Sequence, residues 1–174
     1  VCKPGELSSL YHKLYRELLS PLGVNKNITT FYRMAPKRVQ GLGMPNPNID
    51  MLSHKIHLLQ TEWGQSTASG KMLQQSLEVF QVEVGLCGNI LEEDFRQFGN
   101  LASDGWWKQL WQLCDMFHVK LTFSTQWEVP LLRECDASIM DTLVRHDIYT
   151  KGELVIINRV RNHKGLYSLA DLVL

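Results

Sequence analysis

No net charge is left on this chain once its 18 Lys and Arg are set against its 18 Asp and Glu. That balance excludes a whole-molecule field drawing the protein to nucleic acid or an anionic membrane, so any such contact has to be local. Nor is there an apolar run near the roughly 20 residues that span a bilayer, or a signal peptide's charged and apolar regions at the N-terminus. The expectation is a soluble intracellular protein, cytoplasmic or nuclear, with no membrane partner. Cysteine is sparse: Cys2, Cys87, Cys114 and Cys135 lie far apart, without the close pairs of zinc sites, and read as reduced thiols. Gly41-Leu42-Gly43 lacks a third glycine and a preceding strand, no phosphate-loop lysine follows it, and no serine sits in a nucleophile-elbow pattern. No catalytic residue, metal or cofactor is therefore assigned.

What is present is helical periodicity. Hydrophobic residues make up 44% and charged residues 21% of the 174 positions, enough apolar material for one ordinary domain or two small helical ones. From Glu6 to Ser20, Leu7, Leu10, Leu14 and Leu18 recur at three- and four-residue intervals, widened by Tyr11 and Tyr15, which predicts one buried helix face. Pro36, Gly41, Gly43, Pro45 and Pro47 then crowd into twelve positions and read as a connector. Asn48 is the expected cap of a helix through Trp63, with Met51, Leu52, Ile56, Leu59 and Trp63 inward. A second helix carries Leu73, Leu77, Phe80 and Val84 and stops at Gly85.

Further on, a short helix is expected over Leu91 to Phe98, and a longer one after a Ser103 or Asp104 cap with Trp107, Leu110, Trp111, Cys114 and Phe117 inward. Val119, Leu121 and Phe123 alternate as a short strand or extended segment does. Beyond Pro130, Asp136 to His146 reads as a helix, Thr150 with Glu153 as a capping box opening another that ends near Asn162, and Ser168 with Asp171 as a third start. The predicted fold is mainly α, an irregular bundle of about six to eight helices with at most one short strand or hairpin. Residues 1–47 form an N-terminal helix and Gly/Pro-rich connector, and 48–174 a helical domain, unless the two make one unit. Beginning at Val1 and stopping inside an apolar stretch, the chain reads as an excerpt of a larger protein.

Several candidate sites have plain readings. His54 and His57 sit one helical turn apart but have no identifiable third ligand, and Glu92, Glu93 and Asp94 point in different directions at a helix start. Trp106, Trp107 and Trp111 hold core spacing more readily than they make a stacking platform. Two basic groups remain: Arg33, Lys37 and Arg38 ahead of the connector, and Arg159, Arg161, His163 and Lys164 near Tyr167. Such side chains neutralise phosphates, while an aromatic stacks on a base; alternatively, the second group simply complements a helix C-terminus.

The segment Tyr32-Arg33-Met34-Ala35-Pro36-Lys37-Arg38-Val39-Gln40-Gly41-Leu42-Gly43-Met44-Pro45-Asn46 resembles the stretch that follows the catalytic palm in reverse transcriptases of retrotransposons. There, basic residues precede a Gly-Gly-Leu-Gly-Leu-Pro-like motif and then helices. Leu18 to Asn27 is similar to the segment often found just upstream. Gln40 stands where the family commonly has its first glycine, and the Tyr-x-Asp-Asp-like turn that holds two metal ions in the palm is missing from the sequence. The resemblance implies a non-catalytic, thumb- or connection-like part of a retroelement polyprotein, whose parent is an RNA-directed DNA polymerase. Its partners would be an RNA/DNA duplex and the remainder of the parent polypeptide, with Arg33, Lys37, Arg38, Arg159, Arg161 and Lys164 as the candidate backbone contacts. The rival reading is a helical protein-interaction or scaffold module that binds no nucleic acid.

Overall fold

The leucines between Glu6 and Ser20 do build a helix, α1 (Pro4–Leu19), but it turns a different stripe inward from the one expected. Tyr15 and Leu19 are buried and Leu7 and Tyr11 half-buried, whereas Leu10, Leu14 and Leu18 are 62%, 47% and 48% exposed. Two apolar rows run side by side along this helix, and the row at four-residue spacing from Leu7 to Leu19 is the one that packs. The structure, a computed structural model, describes residues 4–123 and 132–173. Cys2, Pro130 and Leu174 lie outside them. Among the described residues there are eight α-helices and three short 3-10 turns, and the one β-bridge joins Ser138 to Ser168. The chain is mainly helical, and it divides into two units, Val1–Leu59 and Gln60–Leu174.

In the N-terminal unit, α2 (Thr30–Met34) leads into a 3-10 turn over Lys37–Val39, which ends at Gln40 in the left-handed conformation, φ 63°. The Gly-Pro stretch beyond is not a loose connector. Leu42 N donates to Tyr32 O (3.1 Å), Met44 N to Arg33 O (2.9 Å) and Gly43 N to Ala35 O (2.9 Å), so this strip satisfies carbonyls at the end of α2 that the helix itself leaves unpaired. Tyr15 Oη donates to Pro45 O at 2.7 Å, tying the same strip to α1. These bonds hold residues 42–45 within the N-terminal unit, which runs to Leu59. The next helix, α3 (Pro47–Glu62), opens with proline in its first position and is capped by Asn46, not Asn48: Asn46 Oδ1 accepts from Asn48 N at 3.1 Å.

Lys55 lies on the buried side of α3, and burial pulls its ammonium pKa down to about 8. In the unfolded chain the same group keeps a proton up to about 10.4, so below pH 8 the folded state carries a desolvation cost of up to about 3 kcal/mol. Between pH 8 and about 10.4 the unfolded state binds more protons than the folded one, and stability rises with pH. Urea titrations of Lys55→Met against the parent chain are therefore expected to show a stability advantage for methionine that is largest below pH 8 and shrinks above it. An advantage that does not change with pH rules out this origin.

In the C-terminal unit, α4 (Ala68–Val84) is capped by Thr67, whose Oγ1 accepts from Gly70 N at 3.0 Å, and stops at Gly85, φ 83°. The helix expected over Leu91 to Phe98 shortens to α5 (Phe95–Phe98), because Asp94 caps it and Ile90 to Glu92 form a turn instead. The acidic trio thus precedes the helix rather than filling its first turn. The tryptophan helix α6 (Trp106–Phe117) starts from Gly105 with no side-chain cap, so neither Ser103 nor Asp104 serves that role. Trp107, Leu110, Trp111 and Cys114 are buried, Trp107 Nε1 donates to Ser76 Oγ (2.9 Å) and Trp111 Nε1 to Glu93 O (2.9 Å). The rings of Phe80 and Phe95 meet Trp111 edge-on. Val119, Leu121 and Phe123 are each half-buried in an extended segment, with Phe123 against Trp63 at 4.5 Å.

The chain then forms α7 (Ile139–Arg145) and α8 (Lys151–Lys164), the latter with its Thr150–Glu153 capping box complete. The Ser168–Asp171 box also forms, but it opens only a 3-10 turn over Leu169–Leu172.

Candidate nucleic-acid interface

The two basic groups fall in different units and meet different fates. On α8, Arg159, His163 and Lys164 are exposed, but Arg161 is 3% exposed and faces inward. Its Nη2 donates to Val82 O and Glu83 O, both at 2.8 Å, its Nη1 to Leu166 O at 3.1 Å, and its Nε to Asn158 Oδ1 at 3.0 Å. The guanidinium also stacks over the Tyr167 ring, 5.6 Å from its centre. Arg161 is thereby removed from the candidate phosphate contacts: its donors serve the bare carbonyls at the end of α4, where a cation also suits the helix dipole. Tyr167, considered for base stacking, is buried too, with its hydroxyl donating to Leu86 O at 2.6 Å. Asn158 Nδ2 reaches Glu83 O (3.0 Å) and Leu101 O (3.1 Å), Asn162 Nδ2 also reaches Glu83 O (3.0 Å), and Ser138 Oγ donates to Gly85 O, so five side chains converge on one helix end.

In the N-terminal unit Lys37 and Arg38 are exposed as the phosphate reading requires. Arg33 is not: it is 3% exposed, and its Nη2 lies 3.2 Å from His12 Nδ1 and donates to Thr30 Oγ1 at 3.0 Å. Its Nε is buried with no hydrogen-bond partner among the described residues. Arg33 lines a hollow of about 300 Å³ together with His12, Arg16, Lys26, Thr29 and Thr30, and among the described residues no carboxylate lines it. By contrast, two hollows in the C-terminal unit mix signs. Glu92, Glu93, Asp94 and Asp115 face Arg96 and Lys120 in one; Asp147 faces Arg96, Arg145 and Lys151 in the other.

Dividing the chain at Leu59 also divides its charge. Residues 1–59 hold eight Lys and Arg against three Asp and Glu, and residues 60–174 hold ten against fifteen. A surplus of five positive charges in one unit is offset by five negative in the other. Sequence reasoning overlooked His12, Arg16 and Lys26 because it weighed charge over the whole chain and sought basic runs. A charge count by segment finds the surplus, although the gathering of these side chains around Arg33 depends on how α1 and α2 pack. Phe31 (83% exposed) and Tyr32 (40% exposed) on α2 were missed as well.

Other candidates stay plain. His54 and His57 are exposed on α3, and among the described residues no group of three His, Cys, Asp or Glu side chains is placed to hold a metal ion. Burial pushes the Cys114 thiol up to about 11 and raises that of Cys87, so both remain protonated near neutral pH. No helix among the described residues is long and apolar enough to cross a membrane. Comparison of the chain with protein-family models, with curated proteins and with solved structures finds no match.

Proposed function

We propose that this chain is a non-catalytic helical part of a reverse-transcriptase-like retroelement polyprotein, and that its N-terminal unit holds the backbone of a primer–template duplex. The observation that carries the reading is the positive surplus of residues 1–59, presented to solvent by Lys37 and Arg38 in the same short stretch as exposed Phe31 and Tyr32. Cations there neutralise phosphates and release counterions, while aromatic faces accept unpaired bases. The resemblance over Tyr32 to Asn46 supports the same assignment. Nucleotidyl transfer would belong to the remainder of the parent polypeptide.

The test is a fluorescent primer–template duplex titrated across a salt series with the chain and its Lys37→Ala/Arg38→Ala variant. Binding is expected to weaken with salt. Loss of two phosphate contacts is expected to reduce the slope of log K against log salt by about 2. Binding that responds to neither salt nor the substitutions overturns the proposal.

A second reading rests on the outward row of α1. Leu10, Leu14 and Leu18 are exposed together, with Leu22 68% exposed just beyond the helix, an apolar face suited to the parent polypeptide or another protein. A low-salt titration that shows no duplex binding moves the assignment to this face.

A further inference from the structure

The hollow between α1 and α2 has the composition of an anion site. Arg16, Lys26 and Arg33 bring three cationic side chains to one concavity that, among the described residues, no acidic side chain lines, in a chain whose net charge is zero. Cations gathered without a counter-charge repel one another, and that repulsion is relieved when an anion enters. Arg33 adds an independent sign. Arg33 as a whole is 3% exposed, and its Nε has no hydrogen-bond partner among the described residues, which leaves one donor of this guanidinium unspent where buried polar groups are ordinarily paired.

The neighbouring donors complete the set. Thr30 Oγ1 accepts from Arg33, which leaves its own hydrogen free to point elsewhere, and with Arg33 Nη2 donating to His12 Nδ1, the far nitrogen of that ring carries the hydrogen. A planar guanidinium, a flexible ammonium and a second guanidinium around one small space match the several oxygens and double charge of a phosphate monoester better than a single carboxylate.

We infer that His12, Arg16, Lys26 and Arg33 form a binding pocket for a phosphate monoester, either free phosphate or the terminal phosphate of a nucleic-acid strand. The pocket stands on its own residues; delivery of the phosphate by a strand rests on the function proposed above.

The test uses the full chain and substitutes the two exposed lysine and arginine positions, so that Arg33 and the fold are left alone. Inorganic phosphate is titrated calorimetrically into the parent chain, an Arg16→Gln/Lys26→Gln variant, and a Lys71→Gln/Arg133→Gln control at exposed positions outside both basic groups. At least a tenfold loss of affinity is expected in the first variant, with the control matching the parent. Absence of phosphate binding by the parent, or equal losses in both variants, overturns the pocket. A second arm compares single strands bearing a 5′-phosphate or a 5′-hydroxyl. An advantage of fivefold or more for the phosphate, lost in Arg16→Gln/Lys26→Gln, identifies the strand end as the source, and equal affinities identify free phosphate. Duplex binding that depends on Lys37 and Arg38 while phosphate ignores Arg16 and Lys26 removes the pocket and keeps the proposed function. The converse pattern removes the proposed function and keeps the pocket.

Discussion

Alanine at position 41 is expected to destabilise the N-terminal unit by about 3–4 kcal/mol, a large part of the stability of a small domain. A Cβ built on Gly41 falls 2.0 Å from Ala35 O and 2.5 Å from Ala35 C, both backbone atoms that no side-chain rotation can move. The strip has to lift, and the three bonds it makes to Tyr32, Arg33 and Ala35 carbonyls go with it. Urea unfolding of Gly41→Ala followed by far-UV circular dichroism checks the outcome. All five tryptophans lie beyond residue 59, so their fluorescence tracks the C-terminal unit and serves as the internal reference. Wild-type stability in Gly41→Ala would falsify the packing described for this strip. The neighbouring residue behaves oppositely: Gln40 sits at φ 63°, where a side chain is strained and glycine is not, so Gln40→Gly is expected to be neutral or to stabilise by up to about 1 kcal/mol. The position where the resemblance expects a glycine is thus one whose backbone favours it.

Replacing Arg161 by methionine is expected to cost the C-terminal unit about 3 kcal/mol or more. The loss leaves the carbonyls of Val82, Glu83 and Leu166 without this donor, and Asn158 Oδ1 without its partner, in an interior where water is a poor substitute. With an m-value of about 2 kcal/mol/M, the urea midpoint read by tryptophan fluorescence moves down by about 1–2 M. Arg159→Met, on the same helix but exposed, is expected to stay within about 0.5 kcal/mol of the parent. Equal effects at the two positions would show that Arg161 does not hold the end of α4.

Elements marked by their own local chemistry were legible in the sequence. Thr150 and Glu153 announce α8 and Gly85 stops α4, because capping involves residues only a few positions apart. The mainly helical fold followed from the same local signals. The faces were harder to read. Periodicity reports that apolar residues recur, and in α1 two adjacent rows recur, so which one packs is decided by partners elsewhere in the chain, Pro45 among them. Arg161 shows the same limit for charge, since a basic residue near a helix end reads as solvated until the carbonyls of residues 82 and 83 are known to lie against it. The basic hollow combines both difficulties. Its side chains come from positions 12 to 33 and form no motif, and the balanced charge of the whole chain hides their surplus.

The convergence on the end of α4 also sets an order of events during synthesis. Residues 82–86 leave the ribosome long before Ser138, Asn158, Arg161, Asn162 and Tyr167, the side chains that bond to their carbonyls. Until about residue 167 has emerged, that helix end is incomplete, so a chain released before Asn158 carries α4 with its last carbonyls bare. Shortened forms of this protein are therefore expected to be cut by proteases first around Val82 to Leu86, in the middle of the remaining sequence rather than at its new end.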